Sequence, residues 1–249
     1  MFNSELIIEY ILSALAILII LSIHEYAHAY AAYKLGDRTA KDMGRLTLNP
    51  LRHFDPIGAL CMVFLHFGWA KPVPINPRNF KNPKRGFAIT ALAGPVSNLL
   101  MAFFSAFIYL LLFAIFRRTI FPAEFTVILA ENTLLFFYIF HIINLSLALF
   151  NLIPVPPLDG SRILNVILPE RIYFRIMRYE RKIYFALLGW LILGDALKSF
   201  LLSVSFISAS PVLSTVASIF SLSDMLSSAF AFISNLILEL WQLIPFLKI

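Results

Sequence analysis

The stretch that decides the fold is Ile23-His24-Glu25-Tyr26-Ala27-His28-Ala29, set inside an apolar run from Leu6 to Tyr33. A run of this length can cross a bilayer, whose hydrocarbon core takes about 20 helical residues. Two imidazoles and a carboxylate at membrane depth are expensive unless they serve chemistry. On a helix, a spacing of four puts His24 and His28 on one face, about one turn apart. Both can then bind one Zn²⁺, with Glu25 beside it to take a proton from metal-bound water. In a soluble protein this pattern points to a metalloprotease; here it points to one that works inside a bilayer.

Composition agrees with a membrane protein. Of the 249 residues, 60% are hydrophobic and 14% charged, and the mean hydropathy is +0.83, outside the range of soluble domains. No long polar stretch could form a separate soluble domain, so one integral membrane domain over 1–249 is expected, with a catalytic core of about 6–168 and C-terminal helices within about 183–247. The net charge of +6 does not indicate nucleic acid. Ten of the 20 Lys and Arg lie between Lys34 and Arg85 and six between Arg162 and Lys182, with no aromatic-plus-basic groove beside them. Basic residues gathered in two loops follow the positive-inside rule. Loops 34–86 and 161–182 are therefore expected on the cytoplasmic face of the cell membrane and the N-terminus outside. The single Cys61 excludes an intramolecular disulfide and a cysteine-based metal site. The N-terminal run has no basic n-region and exceeds an h-region of about 7–15 residues, so it is not expected to be a cleaved signal.

Along the chain the pattern predicts an all-α polytopic protein. A first helix covers about Leu6–Lys34, a second about Gly86–Phe116, a third about Phe125–Leu152 and a fourth about Ile183–Leu202. A last one occupies part of Ser214–Leu247, while the serine-rich stretch beyond Leu202 has no clear assignment. Between the first two helices lies a basic loop rich in proline. Its apolar middle, Ile57–Phe67, is too short to span and fits a re-entrant or interfacial segment. Val73-Pro74-Ile75-Asn76 and its neighbours are expected as short extended strands. No internal repeat supports a transporter built from inverted repeats.

A catalytic zinc site usually has three protein ligands and a water. Glu131 and Asp195 fall near the outer ends of their helices. At 1.5 Å per residue His24 sits only about 15 Å from Lys34, toward the cytoplasmic side. Asp159 matches that depth, on the segment Asn151-Leu-Ile-Pro154-Val-Pro156-Pro157-Leu-Asp159-Gly160. Its prolines cannot continue a helix. Irregular backbone at this depth must be buried in protein or line a wet cavity. Asp159 is thus the expected third ligand, the alternative being an N-cap for the segment Gly160–Leu168. His141, Asn144 and Asn151 form a polar stripe expected to face the bundle interior. Asn98 is expected at a helix contact near the site, with a substrate or oxyanion contact as a further possibility. His53 and His66 read as loop residues, at the surface or hydrogen-bonded, rather than as ligands.

Taken together, His24-Glu-Tyr-Ala-His28 and Asn151 to Gly160 resemble the site-2 protease family of intramembrane zinc metalloproteases. Gly68-Trp-Ala-Lys-Pro-Val-Pro-Ile-Asn76 and Ala93-Gly-Pro-Val-Ser-Asn98 are also similar to that family. The resemblance implies His24, His28 and Asp159 as ligands of one Zn²⁺ per chain and Glu25 as general base. It also implies Asn151 as a group that holds substrate or the developing oxyanion. Ser161 stands where many members have a second glycine, and the likeness is to a minimal member without a PDZ or CBS domain. The expected partners are the lipid bilayer and a transmembrane protein substrate, not nucleic acid. The rival readings are a catalytically inactive binding relative and a metal or proton transporter that uses the same histidines.

Overall fold

A computed structural model describes residues 4–56, 58, 70–121, 123–203 and 222–247. Its long elements are α1 (Ser4–Lys34), α4 (Pro83–Phe116), α5 (Glu124–Asn151), α8 (Glu180–Ser203) and α9 (Leu222–Gln242). Between them lie the short helices α2 (Thr39–Asp42), α3 (Pro50–His53), α6 (Gly160–Ile167) and α7 (Glu170–Arg178). Two 3-10 turns, Pro77–Asn79 and Pro245–Leu247, complete the described elements. Of these helices, the ones over Glu5–Lys34, Pro83–Phe116 and Glu124–Asn151 are long and apolar enough to cross a membrane. The all-α polytopic fold read from the sequence is the fold of the chain.

The three long apolar helices form the core. α4 packs on both α1 and α5, and α1 also touches α5. Small residues make this possible: Ala88, Ala91, Gly94, Ala102, Ser105 and Ala106 are buried on α4, facing elements that carry buried Ala16, Ala29, Ala130 and Ala148. Association within a bilayer relies on close packing of this kind, because lipid is as apolar as a leucine side chain. α4 starts where Asn82 accepts a hydrogen bond from the Arg85 amide and Pro83 occupies the first turn. The last long helix returns to the core: the Trp241 indole N–H donates to the Phe103 carbonyl at 2.9 Å. His141 on α5 is anchored between the Ala102 carbonyl (2.9 Å) and the Ser234 hydroxyl (3.0 Å). Of the polar stripe, His141 and Asn144 are buried and Asn151 is half-buried.

One expectation requires correction. The strands anticipated around Val73–Asn76 are absent, and no β-strand occurs among the described residues. Residues 70–76 run as irregular backbone into the 3-10 turn. Pro72, Pro74 and Pro77 have no N–H to give to a ladder, and the Val73 and Asn76 N–H groups are given to side-chain carboxylates instead. Most of the predicted re-entrant segment, His66 and Cys61 lie outside the described residues.

Candidate metal centre

α1 supplies His24 and His28 on the face turned toward α4, both buried. Their rings meet edge to face with centroids 4.6 Å apart, and their Nε2 atoms stand 3.0 Å apart. Each Nε2 is 3.2 Å from Asp159 Oδ2. His24, His28 and Asp159 each offer one atom to a common point, all within 4.8 Å of one another.

Asp159 reaches this point because of how the chain leaves α5. The segment 152–159 turns back over the end of α5 through local bonds such as Leu158 N–H to Val155 O. Gly160 lies so close to that end that a Cβ there would strike the Leu152 and Ile153 carbonyls. Ser161 is buried and its hydroxyl donates to the Leu158 carbonyl at 2.7 Å. A serine therefore serves this turn. Asp159 stands at the start of α6 but makes no side-chain cap bond, which removes the capping reading.

One face of α4 backs the histidines with three residues spaced by four. Thr90 presents its carbonyl oxygen 2.7 Å from His28 Nδ1. A carbonyl can only accept, so Nδ1 carries the proton and Nε2 keeps its lone pair. Asn98 is fully buried, with Nδ2 3.1 Å from His24 Nδ1 and Oδ1 buried without a partner. A carboxamide can present either end. With Oδ1 turned to His24, it accepts from Nδ1–H and the orphaned oxygen is satisfied, again freeing Nε2. Between them, a Cβ on Gly94 would collide with His28 Nε2 and come within 2.6 Å of His24 Cε1.

The donor set fits a divalent cation. Two Nε2 lone pairs and a carboxylate oxygen facing one another repel unless positive charge lies among them, and Asp159 Oδ2 is buried with no hydrogen-bond partner. A His, His, Asp set suits zinc. Glu25, also buried, takes no part in the cluster; its Oε2 accepts the Val73 N–H at 2.9 Å. A cavity of about 610 Å³ adjoins these groups, with Glu25, Asn151, Asp159 and Arg162 among its lining residues. Arg162 is held at its rim by Glu180 at 2.6 Å.

The other candidates lie elsewhere. Glu131 is exposed, and the Asp195 side chain is outside the described residues. His53 is buried, with Nε2 2.8 Å from the Thr47 carbonyl. Thr90, Gly94, Val73 and Arg162 were not singled out as site residues from sequence. Gly94 and Val73 each carried a signal, in the Ala-Gly-Pro and Lys-Pro-Val-Pro motifs.

The sequence profile of peptidase family M50 matches residues 12–194. The chain belongs to peptidase family M50. M50 is the site-2 protease family, so the resemblance read from the two motifs holds. YwhC of Bacillus subtilis, provisionally named a zinc metalloprotease, is 43% identical over 166 residues, 67% of this chain and 73% of its own. Rip2 of Mycolicibacterium smegmatis and Rip2 of Mycobacterium tuberculosis, provisionally named in the same way, are 30% and 32% identical. The chain spans about half the length of each Rip2 protein, 51% and 52%. No solved structure matches the chain significantly.

Proposed function

We propose that this protein is an intramembrane zinc metalloprotease that hydrolyses peptide bonds in or near transmembrane segments of other membrane proteins. The observation that carries the reading is the convergence of His24 Nε2, His28 Nε2 and Asp159 Oδ2 beside Glu25 at the wall of a cavity. Its family and the names of its relatives support the same chemistry. His24, His28 and Asp159 hold one Zn²⁺, which when bound polarises the scissile carbonyl and acidifies water.

Glu25 is the general base. Its Oε2 is engaged by the Val73 amide, leaving Oε1 to accept the proton of the attacking water and to deliver it to the leaving amine. Asn151, on the cavity wall, carries a carboxamide that can donate to a substrate carbonyl or the developing oxyanion. Asn98 acts differently, behind the His24 ring, as a positioning residue for that ligand. The whole chain forms one membrane domain, with core 6–168, loops 34–86 and 161–182 on the cytoplasmic side and the N-terminus outside.

The test is co-expression with a candidate single-span substrate, with its size and the zinc content of the protease followed in parallel. Glu25→Gln keeps the size of the side chain and cannot take a proton. It should lower cleavage about 10²–10⁴-fold at unchanged zinc content. Cleavage near the wild-type rate would overturn the mechanism and bring a transport role forward.

A further inference from the structure

The irregular segment 71–76 is tied to the rest of the molecule by a short set of hydrogen bonds with one geometric theme. Arg45 donates through Nη2 to the carbonyls of Lys71 at 2.6 Å and Pro72 at 3.3 Å. The Val73 N–H donates to Glu25 Oε2 at 2.9 Å, across 48 residues of sequence. The Asn76 N–H donates to Asp37 Oδ2 at 2.7 Å, and the Asn79 side-chain amide to Asp37 Oδ1 at 2.7 Å. Asp37 is fully buried, and its Oδ1 also takes the Thr39 N–H at 3.0 Å and the Thr39 hydroxyl.

The prolines make this arrangement selective. Pro72 and Pro74 have no N–H, so Val73 carries the single backbone donor of residues 72–74, and that donor is aimed at Glu25. The Val73 side chain is itself buried against Ala29 of α1 and Ala40 of α2, which fixes the direction of its amide. A glutamate side chain at a cavity wall has several staggered rotamers open to it. A charged acceptor held by a rigid N–H at 2.9 Å has one. Thus Asp37 fixes Asn76, Arg45 fixes Lys71 and Pro72, and between these two anchors Val73 fixes Glu25.

We propose that residues 71–76 form a strap that orients Glu25 for catalysis, with Asp37 and Arg45 as positioning residues that act through the Val73 amide. The inference rests on the reading of Glu25 as general base. It assigns to two residues outside the membrane-spanning helices an effect on turnover that they exert without touching substrate. A strap that only braced the loop would leave turnover alone when one of its anchors was cut.

The experiment uses the full-length, zinc-loaded protein in detergent or nanodiscs. It reads hydrogen exchange of the peptide covering 70–76 alongside kcat and KM for a transmembrane model substrate. Asp37→Ala should speed exchange in that peptide about 10-fold or more. It should also lower kcat about 10–100-fold, as displacement of a reacting group does, with KM within about twofold and zinc content unchanged. Asp37→Asn, which keeps an acceptor oxygen, should recover part of the loss. Val73→Pro removes the one donor in a segment already flanked by prolines and should lower kcat by a similar factor while the Asn76 amide stays protected. Should Val73→Pro fail to fold, the two Asp37 variants decide.

Wild-type kcat in Asp37→Ala despite faster exchange would overturn the inference, and so would unchanged exchange. Glu25→Gln cleaving at the wild-type rate would instead overturn the protease reading itself. The two failures are therefore separable.

Discussion

His28 Nδ1 lies 2.7 Å from the Thr90 carbonyl oxygen, and this one contact fixes which nitrogen of His28 faces Asp159. The acceptor on α4 selects the Nδ1–H tautomer, so the lone pair on Nε2 is available where His24 and Asp159 converge. Thr90, Gly94 and Asn98, four residues apart, make α4 the backing of the whole site.

The first prediction concerns metal content. The purified chain should bind about one Zn²⁺, and His24→Ala with His28→Ala should remove it, because a single carboxylate does not hold zinc. Asp159→Asn should weaken binding, since a neutral amide is a poor ligand. Elemental analysis after dialysis against a weak chelator measures this; full occupancy in the double variant would sink the assignment.

Gly94→Ala pits two effects against each other. Helix propensity alone would favour alanine by about 1 kcal/mol. The new Cβ, however, would lie 2.5 Å from His28 Cε1 and 2.6 Å from His24 Cε1, closer than non-bonded carbons can stand. We expect the collision to win, with metal affinity reduced by more than about 10-fold, as loss of outer-shell support does. A zinc competition titration reads it, and wild-type affinity would mean that the histidines can retreat.

Asn98 separates a positioning role from an oxyanion role. Asn98→Ala should reduce zinc affinity or activity about 10–100-fold. Asn98→Asp retains an acceptor for the His24 Nδ1–H and should keep zinc, whereas a residue acting as oxyanion donor could not be replaced in this way. Loss of cleavage at full zinc occupancy in Asn98→Asp would favour the oxyanion role.

The membrane orientation is open to direct labelling. In a Cys61-free background, a cysteine at position 81 should be reached only from the cytoplasmic side and one at position 117 only from outside, because 16 of the 20 basic residues lie in the two loops assigned inward. Labelling of position 81 in intact cells by an impermeant reagent would reverse the topology.

Acid should release the strap late. Burial would raise the Asp37 carboxyl, but the bonds from Thr39, Asn76 and Asn79 outweigh it and hold its pKa below the ordinary 3.8. A folded-state pKa below the unfolded one stabilises above the unfolded value and loses that stabilisation as pH falls through the folded one. Protection of the Asn76 amide should thus hold from neutral pH down to about 4 and fall only below it. Exchange rates corrected for their intrinsic pH dependence test this; loss of protection between pH 6 and 5 would contradict it.

The sequence by itself determined what local physics controls. The length and apolarity of three runs gave α1, α4 and α5 to within a few residues, because a spanning helix satisfies its own backbone bonds. A spacing of four put His24 and His28 on one face, and the proline-broken segment placed Asp159 at a compatible depth. The tertiary structure decided what lies across the helices. That Thr90 is 62 residues and Asn98 is 74 residues from the histidine it contacts follows from how α4 docks on α1, and a main-chain carbonyl leaves no mark in a sequence. The pattern around Val73 even pointed to a strand, since extended residues look alike whether or not they pair. Its prolines leave Val73 as the single N–H of residues 72–74, and only the packing of the loop against α1 showed that this N–H meets Glu25.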